Sequence, residues 1–138
     1  MTAEELWKQS GLTGEYEAWG FGTDADYLAE LVKTGKKTAT SSAHIFYEIE
    51  DEELPKEGEM SIILDSNDEA VCIIKTTKVY VVPFNQVTED HAAKEGEGDC
   101  SLEYWRKVHR EFFTEELKEI EKEFEENMLV VCEEFVVL

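Results

Sequence analysis

The chain has 138 residues, 13 basic residues against 33 acidic ones, and a formal net charge of −20. This length predicts a single domain over residues 1–138, and a hydrophobic fraction of 42% is enough for a packed core. Such a charge argues against binding to an anionic membrane surface or to long DNA, because both interactions depend on many Lys and Arg contacts.

Neither the N-terminus nor the cysteines indicate export. The first residues lack the basic and apolar regions of a signal peptide, and no apolar run approaches the ~20 residues of a membrane-spanning helix. Cys72, Cys100 and Cys132 have neither the number nor the spacing of a disulfide framework or a zinc site. We therefore expect a cytoplasmic location.

The first part of the chain is rich in helix signals. Thr2 and Glu5 form a capping box, and a later apolar stripe stops at Gly35, which is a typical residue after a helix end. In chain order, the predicted elements are a helix after Thr2, a packed loop over 10–22, a helix from Thr23 or Asp24 to Gly35, an extended segment over 36–42 and a short helix over 43–50.

After Pro55 the pattern changes to strands. The predicted elements are a hairpin of residues 60–64 and 70–76, a strand from Lys78 to Pro83, a helix from Thr88 to Glu95, a long helix from Ser101 to Phe124 and a closing strand over 128–138. Because strands and helices do not alternate regularly, we predict an α+β fold with a small curved sheet or barrel and helices packed outside.

The first segment suited to chemistry runs from Gly35 to Thr40. It contains the amine of Lys37 and the hydroxyl of Thr40. These two side chains would face opposite ways in a regular strand, so they converge only if the backbone turns between them. An ordinary connection with solvated lysines fits the same hexapeptide.

A second segment, Gly96–Asp99, alternates glycines with carboxylates directly after Glu95. Crowded carboxylates raise the pKa of at least one of them, which suits general acid–base catalysis. The spacing does not match a calcium loop, and we predict no metal site and no cofactor. A solvated acidic turn is the alternative.

A third segment is the helix that follows, on which Arg106 and His109 are three residues apart and share a face. Such a pair suits the orientation of a substrate near the acidic turn. A structural salt bridge is the alternative.

These segments, in this order, resemble the ASCH family, whose domains adopt a PUA-like β-barrel. The family signature Gly-x-Lys-x-x-Thr is met by Gly35, Lys37 and Thr40. The match extends through Trp19–Gly22, Leu54–Gly58, Val82–Phe84, Glu95–Asp99, Ser101–Arg106 and Val131–Phe135. The resemblance is to the longer bacterial single-domain members, covers nearly the whole chain and implies a PUA-like fold.

The resemblance also implies a chemistry. A smaller bacterial member of the family is an amidohydrolase that removes the acetyl group of acetylcytidine with a lysine, a threonine and a glutamate. The signature relates the first two to Lys37 and Thr40, and a His-Ala-x-x-Glu stretch relates the third to Glu95. That member lacks the Glu-Gly-Asp turn and the Trp-Arg helix present here, so the substrate pocket is expected to differ.

By this resemblance the chain is a hydrolase of acylated or otherwise modified nucleosides. Lys37 would activate Thr40 or polarise the carbonyl, Thr40 would attack or position water, and Glu95 would carry the proton to the leaving amine. An acyl-threonine intermediate and direct attack by water are both open. The expected substrate-binding residues are Trp19 and Phe21 for stacking on the base, with Asp99, Arg106 and His109 for its orientation.

Two other functions fit the family. A non-catalytic PUA-type module would bind an RNA end or an unpaired base, and would need basic residues gathered around Lys36, Lys37, Arg106 and Arg110. A ribonuclease would use Lys37, Glu95 and His109 as phosphate anchor and proton carriers. The expected ligand is therefore a small nucleoside or an RNA end.

Overall fold

The computed structural model describes residues 1–138, which form five α-helices, a 3-10 turn and five strands. The helices are α1 (Ala3–Ser10), α2 (Ala25–Lys33), α3 (His44–Ile49), α4 (Glu89–Glu95) and α5 (Leu102–Lys118). The strands are β1 (Glu17–Gly20), β2 (Ala39–Ala43), β3 (Met60–Leu64), β4 (Ala70–Pro83) and β5 (Leu129–Val137). None of the helices is long and apolar enough to cross a membrane.

All five strands belong to one mixed sheet in the order β1-β3-β4-β5-β2. β1 runs parallel to β3, and the other neighbours are antiparallel. The register between β4 and β5 shifts between Thr76 and Lys78, and an irregularity of this kind bends a strand. The sheet curls into a half-barrel with the helices outside, which confirms the predicted α+β class.

The largest apolar cluster holds α4 and α5 against β2 and β5. Phe84, just after β4, packs on Trp105 with ring centroids 5.2 Å apart and on Phe113 at 6.3 Å. On the other side of the domain, Ala29 and Val32 of α2 pack with buried residues of β3, β4 and β5. The contacts of the largest cluster hold α4 and α5, which flank the acidic turn Gly96–Asp99, in a fixed position relative to β2, which contains Thr40.

Two predicted elements differ from the structure. Residues 17–20, expected to be loop, form the edge strand β1 by pairing in parallel with β3. The prediction was wrong here because such long-range pairing leaves no local sequence signal. The last helix ends at Lys118 and not at Phe124, and Glu121 beyond it has a φ of 57°, which is incompatible with a continuing helix. The buried face of α5 consists of Trp105, His109, Phe113 and Leu117, a four-residue spacing that an apolar count misses because His109 is polar.

Candidate functional site

A buried ion pair lies where α4 meets the segment before β2. Lys37 Nζ is 3.1 Å from Glu95 Oε1 and 2.9 Å from Glu97 Oε2, and Lys37 and Glu95 are each 1% exposed. Charges this deeply buried persist only when they are paired and hydrogen-bonded. The structure thus brings together two of the three side chains to which the resemblance gives a catalytic role.

Close backbone packing produces this juxtaposition. The Thr38 amide donates a hydrogen bond to the Lys94 carbonyl oxygen at 2.7 Å. Gly96, which ends α4 with a φ of 69°, lies so near the Lys36 carbonyl that a Cβ atom would overlap it. A glycine at position 96 therefore both ends the helix and admits the signature segment.

The Glu95 carboxylate is saturated with donors. Two donors lie on Oε1, namely Lys37 Nζ at 3.1 Å and His109 Nε2 at 3.5 Å. Three lie on Oε2, namely Ser41 Oγ at 2.5 Å, His91 Nε2 at 2.9 Å and Trp105 Nε1 at 2.5 Å. Burial by itself raises the pKa of Glu95, but the charges of Lys37 and His109 and the hydrogen bonds outweigh burial and hold this pKa well below the ordinary value. Glu95 is an ionised anchor for its neighbours.

Two histidines complete the cluster, each in an orientation that its partners dictate. His91 Nε2 donates to Glu95, because a carboxylate can only accept, and its buried Nδ1 has no partner. His109 Nδ1 donates to the Trp105 carbonyl oxygen at 2.9 Å. Burial lowers the pKa of His109, but the charges of Glu95 and Glu97 and the hydrogen bonds outweigh burial, so this pKa is raised.

Ser41, His91 and Glu95 are in mutual contact but do not form the relay of a serine hydrolase. Both Ser41 Oγ and Glu95 Oε2 lie on the same ring nitrogen of His91, at 2.8 and 2.9 Å. A relay needs the hydroxyl and the carboxylate on different ring nitrogens. Ser41 also donates its proton to Glu95, so it is not positioned as a nucleophile.

Glu95, Glu97 and His109 place three ligand atoms within 4.8 Å of one another, a spacing that would suit a metal ion. The ammonium of Lys37, however, lies between the two carboxylates and within 3.1 Å of each. It takes the position that a metal cation would need. The donor set therefore fits an internal lysine better than a metal.

Thr40 lies beside this cluster, in the wall of a cavity of about 900 Å³. Successive strand residues face opposite sides, so Ser41 turns toward α4 while Thr40 turns away from it. Two residues connect the cavity with the ion pair. Ser41 lines the cavity and binds Glu95, and Phe21 lines the cavity with its ring centroid 5.5 Å from Lys37 Nζ.

The cavity is acidic and partly aromatic. Its aromatic members are Trp19, Phe21, Tyr47 and Phe112, and its carboxylates are Glu17, Glu52, Glu53, Glu59, Glu116 and Glu133. Trp19 and Phe21 meet edge to face with ring centroids 5.1 Å apart. No Lys or Arg side chain lines this cavity. Such a site suits a neutral or cationic ring and repels a phosphate.

The five side chains expected to bind substrate are divided among four places. Trp19 and Phe21 line the cavity, and His109 faces Glu95. Arg106 lies on a separate surface groove, with Nη2 3.5 Å from the Asn85 carbonyl oxygen. Asp99 is exposed and accepts a hydrogen bond from the Ser101 amide at 2.9 Å. His109, Arg106 and Asp99 are therefore not brought to the cavity.

Sequence reasoning missed four residues of this region. His91 lies four residues before Glu95 and so on the same helix face, a signal that was available. Strand alternation from Thr40 would have placed Ser41 on the side of the helices. Trp105 is an apolar position of the long helix, and its pattern does not predict the hydrogen bond that it donates to Glu95. Glu133 reaches the cavity through the β2–β5 register, which no local pattern predicts.

Comparisons with known proteins agree with the fold and the signature. A family model described as the ASCH domain matches residues 17–138. The ASCH domain from Lactobacillus crispatus JV V101 is 34% identical, with a TM-score of 0.89 over 99% of this chain and 95% of that one. Protein EF3133 from Enterococcus faecalis V583 is 38% identical, with a TM-score of 0.88 over 98% of this chain and 84% of that one.

A search of curated proteins found no match. The hypothetical protein PH0355, at 22% identity and a TM-score of 0.60 over 90% of this chain and all of that one, shares the fold alone. The predicted PUA-like α+β fold is confirmed by the two similar structures. With the family match extending from β1 to the last residue, the chain belongs to the ASCH domain family.

Proposed function

We propose that this ASCH domain binds a small modified nucleoside, uncharged or cationic, in the cavity beside Thr40 and hydrolyses an acyl amide on it. One observation carries the proposal. Thr40 lines a cavity of about 900 Å³ that is joined through Ser41 and Phe21 to the buried pair of Lys37 and Glu95. The resemblance to a family amidohydrolase supports the same residue types.

In the proposed reaction the nucleoside base stacks on Trp19 or Phe21. The Thr40 hydroxyl attacks the acyl carbonyl or positions the water that does, and either route ends in a carboxylic acid and a free amine. Lys37 lies behind Phe21, with Nζ 5.5 Å from the ring centroid, and so supports the ring on which the base stacks, while Glu95 and Glu97 balance its charge. Both carboxylate oxygens of Glu95 already accept hydrogen bonds from protein donors, which leaves neither free for a proton of the substrate. We therefore assign Glu95 to the positioning of Lys37 and Ser41.

The arrangement of charge favours a nucleoside over RNA. Lys37 is buried between two carboxylates, and Arg110 is paired with Glu126 at 2.6 Å. The groove that contains Arg106 also contains Glu89, Glu103 and Glu111. Lys37 and Arg110 are thus neutralised and Arg106 is mixed with acidic groups, which opposes a phosphate backbone at these positions.

The test is an assay of the purified chain on acetylcytidine and related N-acyl nucleosides, with separation of the deacylated product. Thr40→Val removes the hydroxyl but keeps the branched shape, and we expect it to lower turnover by about 100-fold or more. Thr114→Val is the matched control, because Thr114 is on α5 and bonds only to the Arg110 carbonyl oxygen. Full turnover by Thr40→Val would contradict the proposal.

A second variant tests Lys37. Lys37→Met keeps the length of the side chain but removes the ammonium that pairs with Glu95 and Glu97, at a cost of about 3–5 kcal/mol in the free energy of unfolding. Urea unfolding identifies conditions where the variant is folded, and turnover is compared there. Wild-type turnover by folded Lys37→Met would remove Lys37 from the mechanism. Calorimetric binding of acetylcytidine without any turnover by the wild type would reduce the function to a binding module.

A further inference from the structure

We propose that Glu133 of β5, and not Glu95, is the proton carrier of the cavity. This inference rests on the proposed function and deepens it, since it names the acid–base group of that same site. Nothing in the local sequence around Glu133 marks it, because it is one of two adjacent glutamates in a β-branched strand. The case for it comes from the register of the sheet and from the surroundings of the two carboxylates.

Strand register places Glu133 opposite the candidate nucleophile. Thr40 of β2 and Glu133 of β5 are direct partners in the antiparallel pair. Side chains of such partners lie on the same face, with Cβ atoms about 4.5–5.5 Å apart. Both residues line the cavity. A hydroxyl and a carboxylate therefore face a bound ligand from neighbouring strands.

The two carboxylates differ in what their oxygens already do. Glu95 is 1% exposed and accepts hydrogen bonds on both oxygens. Glu133 is half-buried and has one hydrogen bond, which Oε2 accepts from Thr76 Oγ1 at 2.7 Å. Its Oε1 is left for a water, a hydroxyl or a leaving nitrogen. A general base must be able to reach the proton that it abstracts; of these two carboxylates Glu133 meets this condition, and of the cavity's carboxylates it is the one paired in register with Thr40.

The surroundings of Glu133 favour its protonated form more than those of an exposed glutamate do. Burial raises its pKa, the hydrogen bond from Thr76 opposes this effect, and the charges of Glu59 and Glu17 raise the pKa further. The remaining titratable groups of the cavity are Tyr47 on α3, Glu116 on α5, and Glu52 and Glu53 beyond α3. Since none of these neighbours is a cation, none of them favours the ionised carboxylate.

The chemistry balances with water as the only co-reactant. The Glu133 carboxylate accepts a proton as the oxygen of water, or of Thr40, bonds to the acyl carbon. It gives this proton to the leaving nitrogen as the carbon–nitrogen bond breaks, which releases the amine. In the route through Thr40, a water then hydrolyses the acyl-threonine with Glu133 accepting and returning one proton, so both routes consume one water and involve no oxidation or reduction.

The first test needs no substrate. The carboxyl ¹³C signals of a glutamate-labelled chain are followed by NMR between pH 3 and pH 9, and Glu133→Gln assigns the Glu133 signal by its loss. We expect Glu133 to titrate at higher pH than the exposed glutamates, and Glu95 to stay ionised far below them. A Glu133 signal that titrates together with the exposed glutamates would overturn the proposal.

The second test uses the pH profile of hydrolysis of an N-acyl nucleoside. We expect Glu133→Gln to lower kcat by about 100-fold with little change in KM, and to abolish the fall in kcat toward acid pH that protonation of a base produces. Gln can still accept the Thr76 hydrogen bond, so the fold should persist. Glu134→Gln is the control, because Glu134 is the adjacent residue of β5 and pairs with Lys94 at 3.1 Å.

The outcomes separate the two claims. If the wild type hydrolyses the nucleoside and Glu133→Gln keeps the wild-type kcat and pH profile, the proposed function stands and this inference is overturned. If the wild type hydrolyses no N-acyl nucleoside, the proposed function fails and the role of Glu133 fails with it. Loss of kcat in Glu133→Gln but not in Glu134→Gln, with the altered profile, supports the inference.

Discussion

Lys37 is 1% exposed, at a depth where an ammonium without partners would be too costly to bury. Glu95 and Glu97 supply two negative charges around it, and His109 approaches Glu95 from another side. With His109 protonated, the cluster holds two cations and two carboxylates and is neutral. The proton of His109 therefore belongs to the balance of charge that allows the signature lysine to be buried.

This balance predicts a pH dependence of stability. Because the pKa of folded His109 is raised, the native state binds the proton more tightly than the unfolded state does. The stabilisation is present in full below the unfolded pKa of about 6.5 and is lost as pH rises through the folded value. We expect the free energy of urea unfolding to fall across this range in the wild type, and to fall less in His109→Gln.

His44→Gln is the control for that comparison, since His44 is on α3 and pairs with Glu48 at the surface. It should keep the wild-type slope. Glu95 affects stability at acid pH. Because its pKa is lowered in the folded state, its contribution to the free energy of unfolding is present above about pH 4.5 and is lost as pH falls through the folded value. A wild-type stability that rises from pH 6.5 to pH 9 would contradict the account of His109.

Among the contacts between elements, the junction of α4 with β2 controls the candidate site. The helix ends at Gly96, and the signature segment crosses directly over it, with Thr38 bonded to the Lys94 carbonyl. The ion pair of Lys37 with Glu95 depends on this close approach of the two backbone segments. The junction is therefore the place where a single added methyl group should disturb the site without touching any of its polar atoms.

We predict that Gly96→Ala lowers the free energy of unfolding by about 2–5 kcal/mol, because a Cβ at a φ of 69° is strained and would overlap the Lys36 carbonyl. Gly35→Ala is a matched control: its φ is 81°, but a Cβ there meets nothing within 4 Å. It should cost only the backbone strain, about 1–2 kcal/mol. Equal losses measured by urea unfolding would show that the crossing tolerates a side chain.

Most elements were predictable because local signals define them. Thr2, Thr88 and Ser101 each cap a helix as expected, with side chains that accept backbone amides. The strand β1 was not predictable, since its identity comes from pairing with β3. The site divides in the same way. The resemblance supplied Lys37 and Glu95, but the division between the saturated Glu95 and the free Oε1 of Glu133 depends on long-range register.

Over the whole molecule, the acidic side chains that give the net charge of −20 fall into two classes. A few carboxylates are structural or line the cavity, such as Glu95 and Glu133, while eight glutamates lie between residues 111 and 126 on α5 and the turn after it. Glu111, Glu119 and Glu123 are exposed and form no ion pair. These glutamates favour solubility, but their negative charges also repel one another.

Self-repulsion predicts that salt stabilises the domain. Raising NaCl from 20 mM to 500 mM shortens the Debye length from about 20 Å to about 4 Å, so the free energy of urea unfolding should rise. In the triple variant Glu111→Gln, Glu119→Gln and Glu123→Gln, the net charge falls from −20 to −17 (−20 plus 3), and the gain from salt should shrink. A wild-type stability that falls with salt would mean that attractive surface pairs, such as Arg110 with Glu126, outweigh the repulsion.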